Sequence, residues 1–166
     1  MNLDPLFQQL YDTPMGVAIR ESGTLFPWIE SVHVLAITLV VGSILIVDLR
    51  LLGVTSRGRA ISRLSEEVLP FTWTAFVIAA ITGALLFSSN AVKYTHNTFF
   101  LAKMCLLVLA GLNMLVFQFI TSRGIEAWDE SPATPALVRL AGALSLGLWL
   151  AIIVCGRWIG FTMSAF

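Results

Sequence analysis

Charge is what this chain has least of. Only 12% of its 166 residues are charged and 57% are hydrophobic, where a soluble domain carries roughly 25% and 45–50%. The mean hydropathy is +0.86. No soluble fold of this size hides so much apolar surface, so lipid is the solvent for most of it. Formal net charge is zero, which leaves no basic surface for nucleic acid. Cysteine is scarce too: Cys105 and Cys155 both lie in apolar runs, which argues against a disulfide framework. The first residues, Met1-Asn-Leu-Asp-Pro5, lack the basic and apolar regions of a signal peptide, so the N-terminus is expected to be kept. No linker, low-complexity segment, repeat or second domain interrupts the chain.

What is there is four long apolar stretches, at residues 28–47, 68–87, 98–120 and 137–159. Each reaches the ~20 residues that cross a ~30 Å hydrocarbon layer. Runs of that length without strand alternation cross as helices. Residues 1–24 are mixed instead. Asp4-Pro5 reads as an N-cap with proline at the first helical position, and Pro14 opens a second short piece to Glu21. These predict two amphipathic helices lying at the interface. The expected fold is therefore all-α: a four-helix transmembrane bundle with short N-terminal interfacial helices, forming a single integral membrane domain over 1–166. Pro70 is expected in the first turn of the second span, where its missing N–H is harmless. Asn113, mid-span, is expected to make an interhelical hydrogen bond.

Basic residues set the orientation. Arg50, Arg57, Arg59 and Arg63 flank the first loop, and Arg123 and Arg139 the third; Arg20, Lys93 and Arg157 lie on the other side. This bias puts loops 1 and 3 in the cytoplasm and both termini outside. Trp28 and Trp158 fall at the outer boundary.

Polar groups then collect at the outer ends of the spans. Glu30 and His33 are on the first, Asn90, Lys93, Tyr94 and His96 in the second loop, Lys103 on the third span, and Arg157 on the fourth. His33 and Lys103 each lie five residues inside their boundary, about 7–8 Å deep at 1.5 Å per residue. Ionisable groups in a span are expensive and normally face a partner, cofactor or cavity. Three readings compete. In the first, haem b lies between helices with His33 as axial ligand and His96 or Lys103 as the second; Glu30 and Arg157 border the site, and Arg157, Lys93 or Arg20 meet the propionates. In the second, His33, His96 and Lys103, with Cys105, Cys155 and Met104 nearby, hold copper. In the third, Glu30 pairs with His33 three residues on, Lys103 pairs with Glu30 or snorkels to the surface, and no ligand is bound. On the opposite side, Asp48-Leu-Arg50 reads as a cap or local ion pair.

The stretch from His33 through Gly42 resembles the first-helix pattern of the copper-resistance-D-type membrane proteins and the small HemJ-type protoporphyrinogen oxidases. Phe99-Phe-Leu-Ala-Lys103-Met-Cys, running on to Asn113, resembles their later helix, in which a lysine precedes an apolar run. The whole chain looks closest to an uncharacterised bacterial four-span family of this kind. The HemJ-type resemblance implies a helix histidine and a helix lysine associated with haem b, here His33 and Lys103. The copper-related one implies outward-facing copper handling. This sequence departs from the HemJ-type pattern at Val40 and Val41, where that pattern has an aromatic residue, and at Gln118, in the region of its later histidine. The expectation is a small protein of the bacterial inner membrane that binds haem b on its periplasmic side, with oxidoreductase or electron-transfer chemistry as an extension. Copper handling, or a non-catalytic subunit or homo-oligomer built by helix packing, are the alternatives.

Overall fold

A computed structural model describes residues 4–55, 60–117, 119, 129 and 134–164. Among them every regular element is a helix: α1 Asp4–Tyr11, α2 Pro14–Glu21, α3 Leu25–Leu51, α4 Ile61–Ser89, α5 Ala91–Thr95, α6 Thr98–Val116 and α7 Ala136–Ser164. α3, α4, α6 and α7 are each long and apolar enough to cross a membrane. Arg57, Arg59, Gln118, Ile120 and Arg123 lie outside the described residues.

Three of the spans overrun the apolar stretches, because a helix continues past the lipid edge wherever its next residues tolerate it. The largest overrun is in α4, which begins at Ile61. Pro70 therefore sits inside the helix and not in its first turn. The Glu66 carbonyl loses its backbone donor there, while the Pro70 carbonyl accepts from Thr74 Oγ1 at 2.8 Å.

α3 and α4 make the most extensive contact in the molecule, α6 and α7 the next, and α3 with α7 joins the two hairpins. No contact of comparable extent joins α4 to α6. Two polar ties fix the α3–α4 register: His33 Nδ1 to Thr82 Oγ1 at 2.9 Å and Thr72 Oγ1 to Ser43 Oγ at 2.8 Å. They lie ten residues apart on both helices, or about 15 Å along the axis. Between them this register sets Ala36 opposite Ala79 and Val40 opposite Ala75. Ala36, Val40 and Ala75 are buried. The spacing of three, four and three residues along each helix is that of a coiled-coil seam. Small side chains on α4 let the backbones approach, which replaces the hydrophobic drive that is missing between helices in lipid.

The hairpins meet at the loop-1 end. Here Leu51, Ile61 and Val138 form the buried cluster, with Val47 and Phe117 around it. A Cβ at Gly142 would stand 2.9 Å from Leu51 Cβ and 3.3 Å from the Asp48 carbonyl, so glycine sets how close α7 comes to α3. Further along, Asn113 Nδ2 donates to the Ala141 carbonyl at 3.1 Å, tying α6 to α7 as its mid-span position suggested.

α1 and α2 are present where the sequence placed them, and they are docked. Thr13 caps α2 by accepting from Gly16 N–H at 3.2 Å. Gly16 presses against α4, since a Cβ there would lie 2.8 Å from the Ser88 carbonyl and 3.0 Å from that of Tyr11. Arg20 Nη1 donates to the carbonyls of Ser89 (3.1 Å) and Tyr11 (3.2 Å), and its guanidinium lies 3.7 Å from the Tyr11 ring centroid. Arg20 thus closes the C-terminus of α4, where cations are favoured. At its other end, α4 is capped from loop 3: Asp129 accepts from Ser62 N–H at 2.9 Å and from the Ser62 hydroxyl. The Asp129 carbonyl accepts from Arg50 Nη2 at 3.1 Å.

Burial alone would raise the Asp129 carboxyl, but the Ser62 hydroxyl and N–H, the Ile61 N–H and the Arg50 charge outweigh it and hold the group below its ordinary value. Its contribution to stability is therefore complete at neutral pH. It starts to fade as pH drops below the usual Asp value and is lost as pH passes the lowered one. Asp129→Ala should cost about 1 kcal/mol in detergent melts at pH 7, and the gap to wild type should narrow as the pH is lowered through that window. Gly16→Ala should push α2 off α4, costing about 1–3 kcal/mol and exposing residues 4–24 to limited proteolysis; unchanged cleavage would contradict the close approach.

Candidate functional site

The site lies toward the loop-2 end, between the two hairpins. His33, half-buried on α3, rests its ring on α4, where a Cβ at Gly83 would meet ring Cε1 at 3.0 Å. The histidine therefore requires glycine, or a shifted helix, at 83. The hydrogen bonds around Thr82 assign the ring tautomer. Thr82 has one hydroxyl proton, and Oγ1 lies 2.7 Å from the Ile78 carbonyl and 3.2 Å from that of Ala79. With that proton directed to a carbonyl, Oγ1 can only accept from His33. Nδ1 then carries the hydrogen and Nε2 keeps its lone pair. A metal-binding histidine is held in just this way, one ring nitrogen donating to the protein and the other left open.

Lys103 comes from α6. It lies close enough for its charge to act on His33, and Cys155 is within similar electrostatic reach of it. A Cβ at Gly156 of α7 would be 3.8 Å from Nζ. The amine thus lies beside α7. Among the described residues no hydrogen bond or ion pair receives it. Above this level, aromatic rings crowd the seam between α4 and α6. Phe87 stacks on Phe100 with centroids 5.4 Å apart, and Tyr94 lies 5.2 Å from Phe100. Phe7 of α1 meets Phe87 edge-on at 6.0 Å. Burial, and then the nearby Glu30 charge, push the Tyr94 phenol up from its ordinary value.

The other residues singled out from sequence fall elsewhere. His96 ends α5 and faces Asp4, Nε2 to Oδ1 3.4 Å, with both side chains largely exposed. It is engaged by α1. Glu30 is exposed and pairs with neither His33 nor Lys103 among the described residues, so the ligand-free pairing anticipated for these three is not what forms. Arg157 is exposed, 4.7 Å from the Phe161 centroid. Lys93 is exposed, and Arg20 is spent on α4 and Tyr11. Cys105 is exposed on α6 and Cys155 half-buried on α7. No group of three or more His, Cys, Asp and Glu side chains able to hold a metal occurs among the described residues.

Sequence reasoning underrated the loop-1 end. Asp48 is 4% exposed and Arg50 0%, yet the two are not a pair. Two residues apart on a helix, they face different ways: Arg50 toward Asp129, Asp48 toward Ser145 of α7. Their i, i+2 spacing was the available signal, since it does not suit a local pair.

A multi-pass helical membrane protein, with a histidine and a lysine between its two hairpins, is the class that fold and site define. The chain belongs to the DUF6644 family, a family of unknown function whose pattern it matches over residues 15–162. No curated protein and no solved structure matches it.

The tautomer assignment is open to direct test. Nitrogen-15 NMR of labelled protein should show His33 as the Nδ1–H form, and Thr82→Val should remove the acceptor and allow both tautomers. A wild-type spectrum dominated by Nε2–H would overturn the assignment.

Proposed function

We propose that this chain is a bacterial inner-membrane protein that binds haem b between its hairpins, with His33 as the chief axial ligand and Lys103 as the second. The observation that supports the reading is two nitrogens, on different hairpins, that are near enough to interact electrostatically. The His33 Nε2 lone pair is left open by the Thr82 bond, and the Lys103 amine on the facing hairpin has no hydrogen-bond partner among the described residues. Imidazole and neutral amine are both competent ligands for haem iron. The His33 ring rests on Gly83 and the Lys103 amine beside Gly156, and below the aromatic rings α4 and α6 share little contact, which is where a flat group would enter. The resemblance to HemJ-type proteins points to the same two residues. Copper gains no such support, because Cys105 is exposed on α6.

When bound, the haem supplies one-electron redox chemistry. The chain's own residues have separate tasks. Thr82 holds the imidazole in one tautomer and Gly83 admits its ring. The α6–α7 contact fixes where Lys103 reaches, and the aromatic rings of Phe87, Tyr94 and Phe100 limit water from the loop-2 side. In this reading the basic loops 1 and 3 face the cytoplasm, which puts the site on the periplasmic half and both termini outside.

The test is the absorption spectrum of protein purified after haem-replete expression, with haem counted as the pyridine complex. Expected is about one haem per chain, at least tenfold loss in His33→Ala, and a shifted but retained Soret band in Lys103→Met. Folded protein that stays colourless after haem reconstitution would sink the proposal. An unchanged spectrum in Lys103→Met would remove Lys103 from the ligand set.

A further inference from the structure

At the far end of α3 from His33, one acid is left without a charge partner. Asp48 is 4% exposed, and its Oδ2 has no hydrogen-bond partner among the described residues. Among the described residues, Ser145 of α7 is the side chain that bonds its carboxyl. α7 passes so close at Gly142 that a Cβ there would lie 3.3 Å from the Asp48 carbonyl oxygen, so the acid is sealed between two helices.

The charged groups around it are directed elsewhere. On α3 itself, Arg50 reaches the Asp129 carbonyl through Nη2, and its buried Nη1 does not bond Asp48. On α7, Arg139 is exposed, and on α4, Arg63, Glu66 and Glu67 are exposed. From loop 3, the Asp129 carboxylate is committed to Ser62. A carboxylate in this position would be a buried charge with a single neutral hydroxyl to solvate it, which costs several kcal/mol. A neutral acid fits the same atoms well. Its O–H can donate to Ser145 Oγ, and the unpartnered oxygen is then a carbonyl, the cheaper group to leave bare.

We infer that Asp48 is a proton-binding site, filled in the packed state seen here and emptied only when α7 moves off α3 at Gly142. The ligand is the proton itself, exchanged with the aqueous phase at the loop-1 end. Release turns the carboxyl into an unpaired charge that α3–α7 packing cannot hold, so proton occupancy and the spacing of the two hairpins are coupled. Nothing in this depends on a bound cofactor.

Infrared difference spectroscopy at neutral pH tests the site on the full chain in lipid. Wild type minus Asp48→Asn should show a protonated-carboxyl C=O band that shifts in D2O. Asp48→Asn, a neutral mimic of the acid, should fold and melt within a few degrees of wild type. Gly142→Ala, which wedges the helices apart, should weaken the band. Absence of the band in folded wild-type protein overturns the inference. So does an Asp48→Asn chain that fails to fold while Asp48→Glu folds, because a required negative charge would then be the explanation.

Discussion

The hydrogen bond from His33 to Thr82 is the contact on which the α3–α4 pair turns. In lipid, helices gain nothing by hiding apolar faces from one another, so a pair is specified by close backbone approach and polar ties. A single tie would leave the helices free to pivot. The Ser43–Thr72 bond, in the same register and about 15 Å away, removes that freedom. On the seam between the two ties lie Ala36, Val40, Ala75 and Ala79, and the imidazole rests on Gly83. The residue proposed as the haem ligand is therefore also a structural fastener. Its ring orientation is set by the same contact that sets helix register.

α4 then acts as the mast for the rest. Both of its ends are closed by residues distant in sequence, and each carries the charge that the helix dipole favours there. Asp129 accepts at the N-terminus, where N–H groups lack partners, and Arg20 donates at the C-terminus, where carbonyls do. Near a membrane surface, where water is less dependable as a substitute, such caps matter more than in a soluble protein. They also explain why α1 and α2 are docked and do not merely lie in the interface. Arg20 needs the Tyr11 carbonyl and ring as well as the Ser89 carbonyl, so the cap organises both short helices.

The spans, the two short helices with their proline starts and the bond from Asn113 were legible in the sequence, because hydropathy, capping and polar cost are local signals. Helix length was less so. Hydropathy marks where lipid begins, and α4 runs from Ile61 through the charged turn at Ser65-Glu-Glu67 before it reaches lipid, which leaves Pro70 interior. Partners far apart in sequence were not legible. Thr82 looked like one hydroxyl in a greasy span, Asp129 like a loop acid, and His96 like a neighbour of His33, although it faces Asp4. What the sequence did carry was depth. Counting residues from each boundary put His33 and Lys103 at one level, and the Lys103 charge acts on His33.

Lys103 is the residue the fold explains least on packing grounds. His33 bonds Thr82 and Arg50 bonds the loop-3 carbonyl, but the Lys103 amine faces Gly156 with no acceptor among the described residues. A lysine within a span costs on the order of 3 kcal/mol by insertion scales. From about 7 Å below the boundary, its four-carbon stem is long enough to carry the ammonium out to the headgroups, the cheaper position. In the structure the amine lies beside Gly156 of α7. In the proposed reading this amine is a ligand, and so is the imidazole nitrogen that the Thr82 bond does not use. The cost of each is recovered if one group meets both, and a metal centre that accepts nitrogen from two sides does so.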